Sequence, residues 1–481
     1  MIAILNWKAY ICDSRRGFLL RDIDTPTLLP ISLYNKCLHH PSISKQDLKL
    51  TRNMATSHNI SLHCGDRDDP KIVQIGSSEF QGIFSKGLKI LHNLFSENNY
   101  ELRLCGGAVR DLLQSKTPKD LDFATTATPD QMISMFKKEG IRLINETGWG
   151  HGTVTCRLEE ENFEITTLRI DRVTDGRHAT VEFTTDWKTD ASRRDLTINA
   201  LFLTLEGQVI DYFNGIEDLK HRTVRFVGDA ARRIQEDYLR ILRFFRFYGR
   251  IAQTNTTVDQ DLLQIIADNV SGLKNVAGER IQTEVRLIFE GNHIVTIVNL
   301  MHRCGLFPFI GLPEHADLEK FAKIYNSARH LNPHYMTYVS ALLPSLNDLN
   351  TYHQRVKFSN LELNIATFIL KNSLQANIDI KLTWYTDLLV YNYRHDRLCA
   401  NYFMEFLKYN GDVEAIGYFT NFSVPLFPVK GNVLKEKTGL KGKEIGKALN
   451  ILFKKWQDSR YILTQDQLLE NVDETTDWNS M

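Results

Sequence analysis

An α+β architecture is expected for this 481-residue chain, a mixed head followed by an all-helical remainder, and two observations predict it. Up to about residue 225, short strand-like runs alternate with segments of helical period. Beyond that point nearly every patterned stretch repeats at 3.6 residues. Hydrophobic residues make up 43% and charged residues 24%, the averages of globular chains, so a sizeable core can close. Wholesale disorder, collagen-like repeats and a disulfide scaffold are excluded. No uncharged apolar run approaches the ~18 residues that span a bilayer, and no membrane partner is expected. Lys+Arg and Asp+Glu both total 58, a balance that on its face disfavours a nucleic-acid partner.

The first sixty residues carry eight Lys/Arg against four Asp and no Glu. That basic, Glu-free composition is that of a mitochondrial transit segment, and residues 1–75 read as a targeting or unstructured leader. Met54 offers an internal start, which predicts a second form in cytoplasm and nucleus. The seven cysteines are scattered and include no CxxC pair, which argues against a zinc ribbon and suits a reducing compartment. His63-Cys64 has no partner at metal-site spacing.

Over 76–225, the head, the elements follow in order. Phe84–Asn98 has helical periodicity, and Leu102–Cys105 reads as a strand. Gly106-Gly107 punctuates before a helix over Ala108–Leu113, and Leu121–Thr125 is a second strand. Thr128-Pro129-Asp130 caps a further helix, and alternation over Thr153–Phe183 predicts a β-rich stretch. Residues 229–250 form one helical run, with further helices over 257–269, 278–290 and 292–303. The helical remainder divides into 226–300, 301–420 and 421–481, with breaks at Pro313, Pro333, Pro344 and Pro425.

The densest chemistry starts at Leu104. Gly106 and Gly107 between strand and helix let backbone N–H groups approach an anion, and Arg110 in the first turn can reach a phosphate. No GK[ST] follows, so this is not a P-loop. Asp120-Leu121-Asp122 on a strand would place both carboxylates on one face. Like charges that close repel unless cations bridge them, and a divalent pair ~3.5–4 Å apart serves in-line nucleotidyl transfer. Two solvated carboxylates would be the bland alternative for DxD alone.

These residues resemble a known family. GGAVRDLL followed by DLDFAT is similar to the first signature of the nucleotidyltransferase superfamily that includes tRNA nucleotidyltransferases (CCA-adding enzymes) and bacterial poly(A) polymerases. Four further stretches match in family order: Asp171 to Arg177 the hinge motif, Arg193-Arg194-Asp195 to Ala200 the RRDxxxNA motif, Glu236 to Arg243 the EDxxRxxR motif, and Gly278 to Ile281 the GERI motif. The match covers about residues 80–300 and looks like the class II, animal mitochondrial type. The resemblance implies a polymerase-beta-like palm in the head, then a helical neck, body and tail. It implies CTP and ATP as substrates, tRNA as partner and two Mg2+ ions on Asp120 and Asp122. The hinge would be Asp175, Gly176 and Arg177.

Residue chemistry agrees with that implication. Arg193 and Arg194 can meet triphosphate charge bidentately, and Asp195, with Asn199 nearby, can accept a ribose hydroxyl. An Asp237/Arg240 pair accepts from an exocyclic amine and donates to a ring acceptor, which suits cytosine and adenine and rejects guanine and uracil. Arg243 and Arg246 would then lie near phosphate. Between Lys430 and Lys455 eight lysines face only Glu436 and Glu444, a phosphate-tracking patch for tRNA that includes Lys441, Lys443 and Lys447. The rival readings are a poly(A) polymerase of the same superfamily and a catalytically silent RNA-binding protein.

Overall fold

The computed structural model describes residues 8–13, 17–22, 69–144, 146–174, 179–253, 258–373, 381–470 and 472. It divides into two units, residues 1–63 and 64–481. In the first, β1 (Lys8–Asp13) pairs antiparallel with β2 (Gly17–Asp22). The leader expected over 1–75 thus contains a two-stranded ribbon, an element of marginal stability in water when alone. Its last residues belong elsewhere. β3 (Lys71–Gln74) is the edge strand of the head sheet, so the head starts earlier than residue 76.

The remaining head strands are β4 (Leu102–Cys105), β5 (Asp122–Thr125), β6 (Arg142–Ile144), β7 (Thr153–Leu158), β8 (Glu161–Thr167), β9 (Arg169–Thr174), β10 (Ala179–Phe183), β11 (Phe202–Thr204) and β12 (Gln208–Asp211). Eight of them form one sheet in the order β3-β12-β11-β4-β5-β8-β7-β6, while β9 and β10 pair separately as an antiparallel ribbon. Every pairing in the large sheet is antiparallel except β5 with β8. A parallel pair needs a crossover, and the connection includes the helix Pro129–Lys138. Thr128 caps that helix in a box with Gln131, and Pro129 sits inside the first turn as its fixed φ favours.

One sheet face is covered by apolar residues at helical spacing, Leu88, Leu91, Leu94 and Phe95 from the helix Lys86–Glu97. On the other face Trp187 packs edge-on to Phe202, ring centroids 4.8 Å apart. The loop after β12 is held by Asp211, whose carboxylate accepts the backbone N–H groups of Phe213, Gly215 and Ile216. This cap sets the chain's direction as it leaves the sheet.

The single helix expected over 229–250 is two, Ala230–Glu236 and Leu239–Ile251. Asp237 between them is extended, with φ −154° and ψ 103°. Its side chain accepts the Leu239 N–H at 3.2 Å, the local competition by which Asp leaves a helix. Helical period survives across the break because Ile234, Leu242 and Phe245 all bury in the same core. That one core takes in residues from both sides of residue 300, Ile297 and Val298 before it and Met301, Leu306 and Phe307 after it among them, so no apolar boundary separates neck from body there. The tail has its own cluster, including Leu434, Leu452, Phe453, Trp456 and Leu468, joined by Val390 of the helix Lys381–Tyr393.

Candidate active site

The turn after β4 is built on glycine for a backbone reason. Gly106 has φ +63°, a conformation that L side chains rarely adopt, and its N–H bonds the Leu201 carbonyl at 3.3 Å. The helix Gly107–Leu113 starts there with no side-chain cap. β5 opens at Asp122, so Asp120 lies in the bend before the strand rather than on it. The two carboxylates are therefore not related by strand alternation, as i and i+2 had suggested. They are nonetheless near neighbours in the electrostatic sense. Burial raises the Asp122 carboxyl above its ordinary range and the Asp120 charge raises it further, against the pull of Arg194.

A third carboxylate joins them. In the parallel register Glu164 of β8 stands opposite Asp122. Burial, and then the Asp122 charge, push its carboxyl upward. No motif pointed to Glu164; the parallel crossover, which a sequence pattern does not specify, brings it there.

Arginine dominates the next wall. Arg193 and Arg194 both close on Asp190, Nε of Arg193 at 2.8 Å from Oδ1 and Nη2 of Arg194 at 3.1 Å from Oδ2. Asp190 is 1% exposed and also accepts the Arg169 N–H at 3.1 Å. Burial works to raise this carboxyl, but Arg194 and Arg193 outweigh it and hold it below the usual range. Asp195 is likewise buried and likewise lowered: burial is overcome by Arg243, whose Nε donates at 2.6 Å. Asn199 links onward, donating to Asp195 at 3.2 Å and accepting from Arg110 Nη1 at 2.8 Å. Arg110 also reaches Asp111, so this side chain is fixed from two sides.

Arg243 lies 3.7 Å from the buried Glu284, to which Arg246 Nη1 donates at 3.0 Å. Burial pushes Arg246 down to about 10 even beside that carboxylate. Phe247 underlies three guanidiniums, with Arg246, Arg110 and Arg243 at 4.4, 5.1 and 5.8 Å from its ring centroid.

At the helix break, Glu236 pairs with Arg233 and with Arg240, the latter at 2.9 Å. Arg240 is held further by the carbonyls of Arg233 at 3.0 Å and Arg193 at 2.9 Å. Asp237 instead meets Arg280 of the helix Gly278–Phe289, Nη2 to Oδ2 at 2.8 Å. Asp237 and Arg240 are thus not a helical i,i+3 pair; each is positioned by other residues.

Most of these side chains converge. One cavity of about 620 Å³ is lined by Gly106, Gly107, Arg110, Asp122, Arg194, Asp195, Asn199, Asp237, Arg240, Arg243 and Arg246, with further walls from Arg169, Asp171, Arg193, Glu236, Phe247, Arg250 and Arg280. Nine arginines face five carboxylates there, a volume and charge suited to a nucleoside triphosphate. Asp120 is exposed beside it. Lys441, Lys443 and Lys447 lie apart, exposed around the start of the tail helix Lys443–Asp458. Asp175, Gly176 and Arg177 fall outside the described residues.

The donor set fits a hard divalent cation. Asp120, Asp122 and Glu164 offer only oxygen donors; burial chiefly raises the Asp122 and Glu164 carboxyls, and the repulsion of a neighbouring carboxylate that adds to it is what a cation would relieve. Among the described residues no group of three or more His, Cys, Asp or Glu side chains is placed to hold a metal ion. Mg2+ does not need one, because it keeps waters and shares its shell with substrate phosphates.

A mixed sheet bearing paired carboxylates, opened on an arginine-rich cavity and followed by helices, defines a nucleotidyltransferase. Comparison with known proteins agrees. Residues 102–225 match the family "Poly A polymerase head domain" and residues 255–318 match "Probable RNA and SrmB- binding site of polymerase A". CCA tRNA nucleotidyltransferase 1, mitochondrial, is 46% identical in Mus musculus and in Homo sapiens, each over 84% of this chain and 93% of the relative. The chain belongs to the CCA tRNA nucleotidyltransferase family. Its fold is also that of the Bacillus stearothermophilus CCA-adding enzyme in complex with CTP, at TM-score 0.63 and 22% identity over 80% of this chain and 94% of that one. The Thermotoga maritima CCA-adding enzyme complexed with tRNA follows at TM-score 0.57 and 18% identity over 83% and 98%.

Proposed function

We propose that this chain adds C, C and A stepwise to the 3′ end of tRNA, from CTP and ATP, releasing pyrophosphate, with its own side chains as template. The observation that carries this reading is the single cavity holding both Asp122 and the Asp237/Arg240 pair. Asp120 and Asp122 would hold two Mg2+ ions, with Glu164 beside them; bound there, the ions supply charge neutralisation at the triphosphate and activation of the tRNA 3′-hydroxyl. Arg193 and Arg194, locked on Asp190, present guanidinium charge to the triphosphate, and Arg243 and Arg246 serve the same end from the neck. Asp195 retains acceptor capacity for a ribose hydroxyl beyond its bond to Arg243.

Base choice follows from donors and acceptors. The Asp237 carboxylate accepts from the N4 amine of cytosine or the N6 amine of adenine. Arg240, with Nη1 and one Nη2 hydrogen engaged by carbonyls and Glu236, still has N–H groups for ring N3 or N1. Uracil O4 and guanine O6 would face the carboxylate with lone pairs and be repelled. The lysines 441, 443 and 447 would grip the tRNA backbone. Incubating tRNA trimmed of its 3′ end with each NTP, then sequencing products, tests the proposal. Three added nucleotides of sequence CCA are expected; a long A tail or no extension would refute it.

A further inference from the structure

Asp237 sits extended in a helix break, where its carbonyl accepts the Arg240 N–H at 3.0 Å but its side chain lies outside the regular helix. A base-reading carboxylate there needs an external brace. The brace in this structure comes from a different helix. Arg280 reaches across with Nη2 at 2.8 Å from Oδ2 and Nη1 at 3.4 Å from Oδ1, both atoms of one planar fork. The Leu239 N–H adds the other contact, to Oδ1.

Arg280 is itself placed from the body. Gly278 begins its helix pressed against the backbone of residue 355, where an added Cβ would fall 2.1 Å from the Arg355 carbonyl oxygen. The Arg355 guanidinium holds the approach to that helix, donating to the Leu273 and Val276 carbonyls at 2.7 and 3.0 Å and to Phe309 at 3.0 Å. A chain of rigid contacts therefore runs from the body to the reading edge of the cavity.

We propose that Arg280 is a specificity-determining positioning residue: it orients the Asp237 carboxylate so that one edge accepts an exocyclic amine and turns away a carbonyl. The inference rests on the base-reading role proposed above for Asp237 and Arg240. A bidentate guanidinium fixes a carboxylate's plane, whereas an ammonium offers only a point charge. With the fork removed, Asp237 would rotate about χ1 and χ2, and the amine would lose its preferred partner while the excluded carbonyl would lose its clash. The acceptor left on Oδ2 after the Arg280 bond is the one available to the base.

The test uses the full chain with trimmed tRNA, Mg2+ and each NTP separately, comparing kcat/KM for CTP against UTP and ATP against GTP. Arg280→Gln is expected to lower both ratios about tenfold, the worth of a good bidentate contact, with KM for tRNA unchanged. Arg280→Lys keeps the charge without the fork and should fall between. Arg240→Ala runs alongside. Unchanged ratios in both Arg280 variants, or equal losses for all four nucleotides, would overturn the inference. If Arg240→Ala relaxes base choice while the Arg280 variants do not, only the brace is wrong; if Arg240→Ala also leaves choice intact, the base-reading role itself fails.

Discussion

Glu164 stands directly across from Asp122 in the only parallel pairing among the described strands of the head sheet. Both carboxyls are raised, chiefly by burial, and Asp122 carries the added repulsion of Asp120. On the reading proposed above, a divalent cation would offset that repulsion. Asp120→Ala and Asp122→Ala should abolish nucleotide addition while tRNA affinity, measured by filter binding, stays within about twofold, since neither lies on the lysine patch. Glu164→Gln should raise the Mg2+ concentration needed for half-maximal rate, because one negative charge beside the metal site is gone. Normal turnover in an Asp122 variant would remove the metal assignment.

Gly106 offers a backbone test. A Cβ there would find room, with its nearest atom 3.6 Å away, so the cost of Gly106→Ala is conformational and comes from φ +63°. About 1–3 kcal/mol of strain is expected, relieved by tilting the start of the helix Gly107–Leu113. KM for CTP and ATP should rise severalfold, with a folded protein by circular dichroism. An unchanged KM would mean that this turn does not border the nucleotide.

Asp190 gives a pH signature. Its folded value is depressed by Arg194 and Arg193 against the effect of burial, so its contribution to stability is present above the unfolded carboxylate value of about 4 and is lost as pH falls through the lower native value. Asp190→Asn should cost about 3 kcal/mol near pH 7, because two guanidiniums lose their buried partner. Thermal melts of the two proteins should converge as the solution is acidified below about pH 4. A constant gap down to pH 2 would show that the charge of Asp190 is irrelevant to folding.

The tail lysines predict salt dependence. Replacing Lys441, Lys443 and Lys447 by Ala should weaken tRNA binding and reduce the slope of log affinity against log salt by about 2–3, according to the number of phosphates each set releases. KM for CTP should not move, since these residues lie apart from the nucleotide cavity. An unaltered salt slope would place the tRNA elsewhere.

Local patterns were enough for much of this molecule. The strand–Gly-Gly–helix turn, the capping box at Thr128 and Gln131, and the change to helical period after residue 225 all depend on neighbours in the chain. So did most of the cavity wall, because Asp122, Arg194, Asp195, Asp237, Arg240 and Arg243 occur in short, chemically unusual runs. Whole-chain charge was uninformative for the same reason inverted: nine arginines gathered around one cavity and a lysine-rich tail are offset by acids elsewhere.

What a linear pattern could not supply was contact between distant segments. Glu164 reaches Asp122 through strand register, Asp190 gathers Arg169, Arg193 and Arg194 by burial, and Arg280 reaches Asp237 from 43 residues away. The break at Asp237 belongs to the same group. Helical period continues through it because both halves bury against one core, while the carboxylate is drawn out of the helix by the Leu239 N–H and Arg280. Chemistry was written in residue identity; the bracing that orients it arises from packing, where long-range contacts outweigh local propensity.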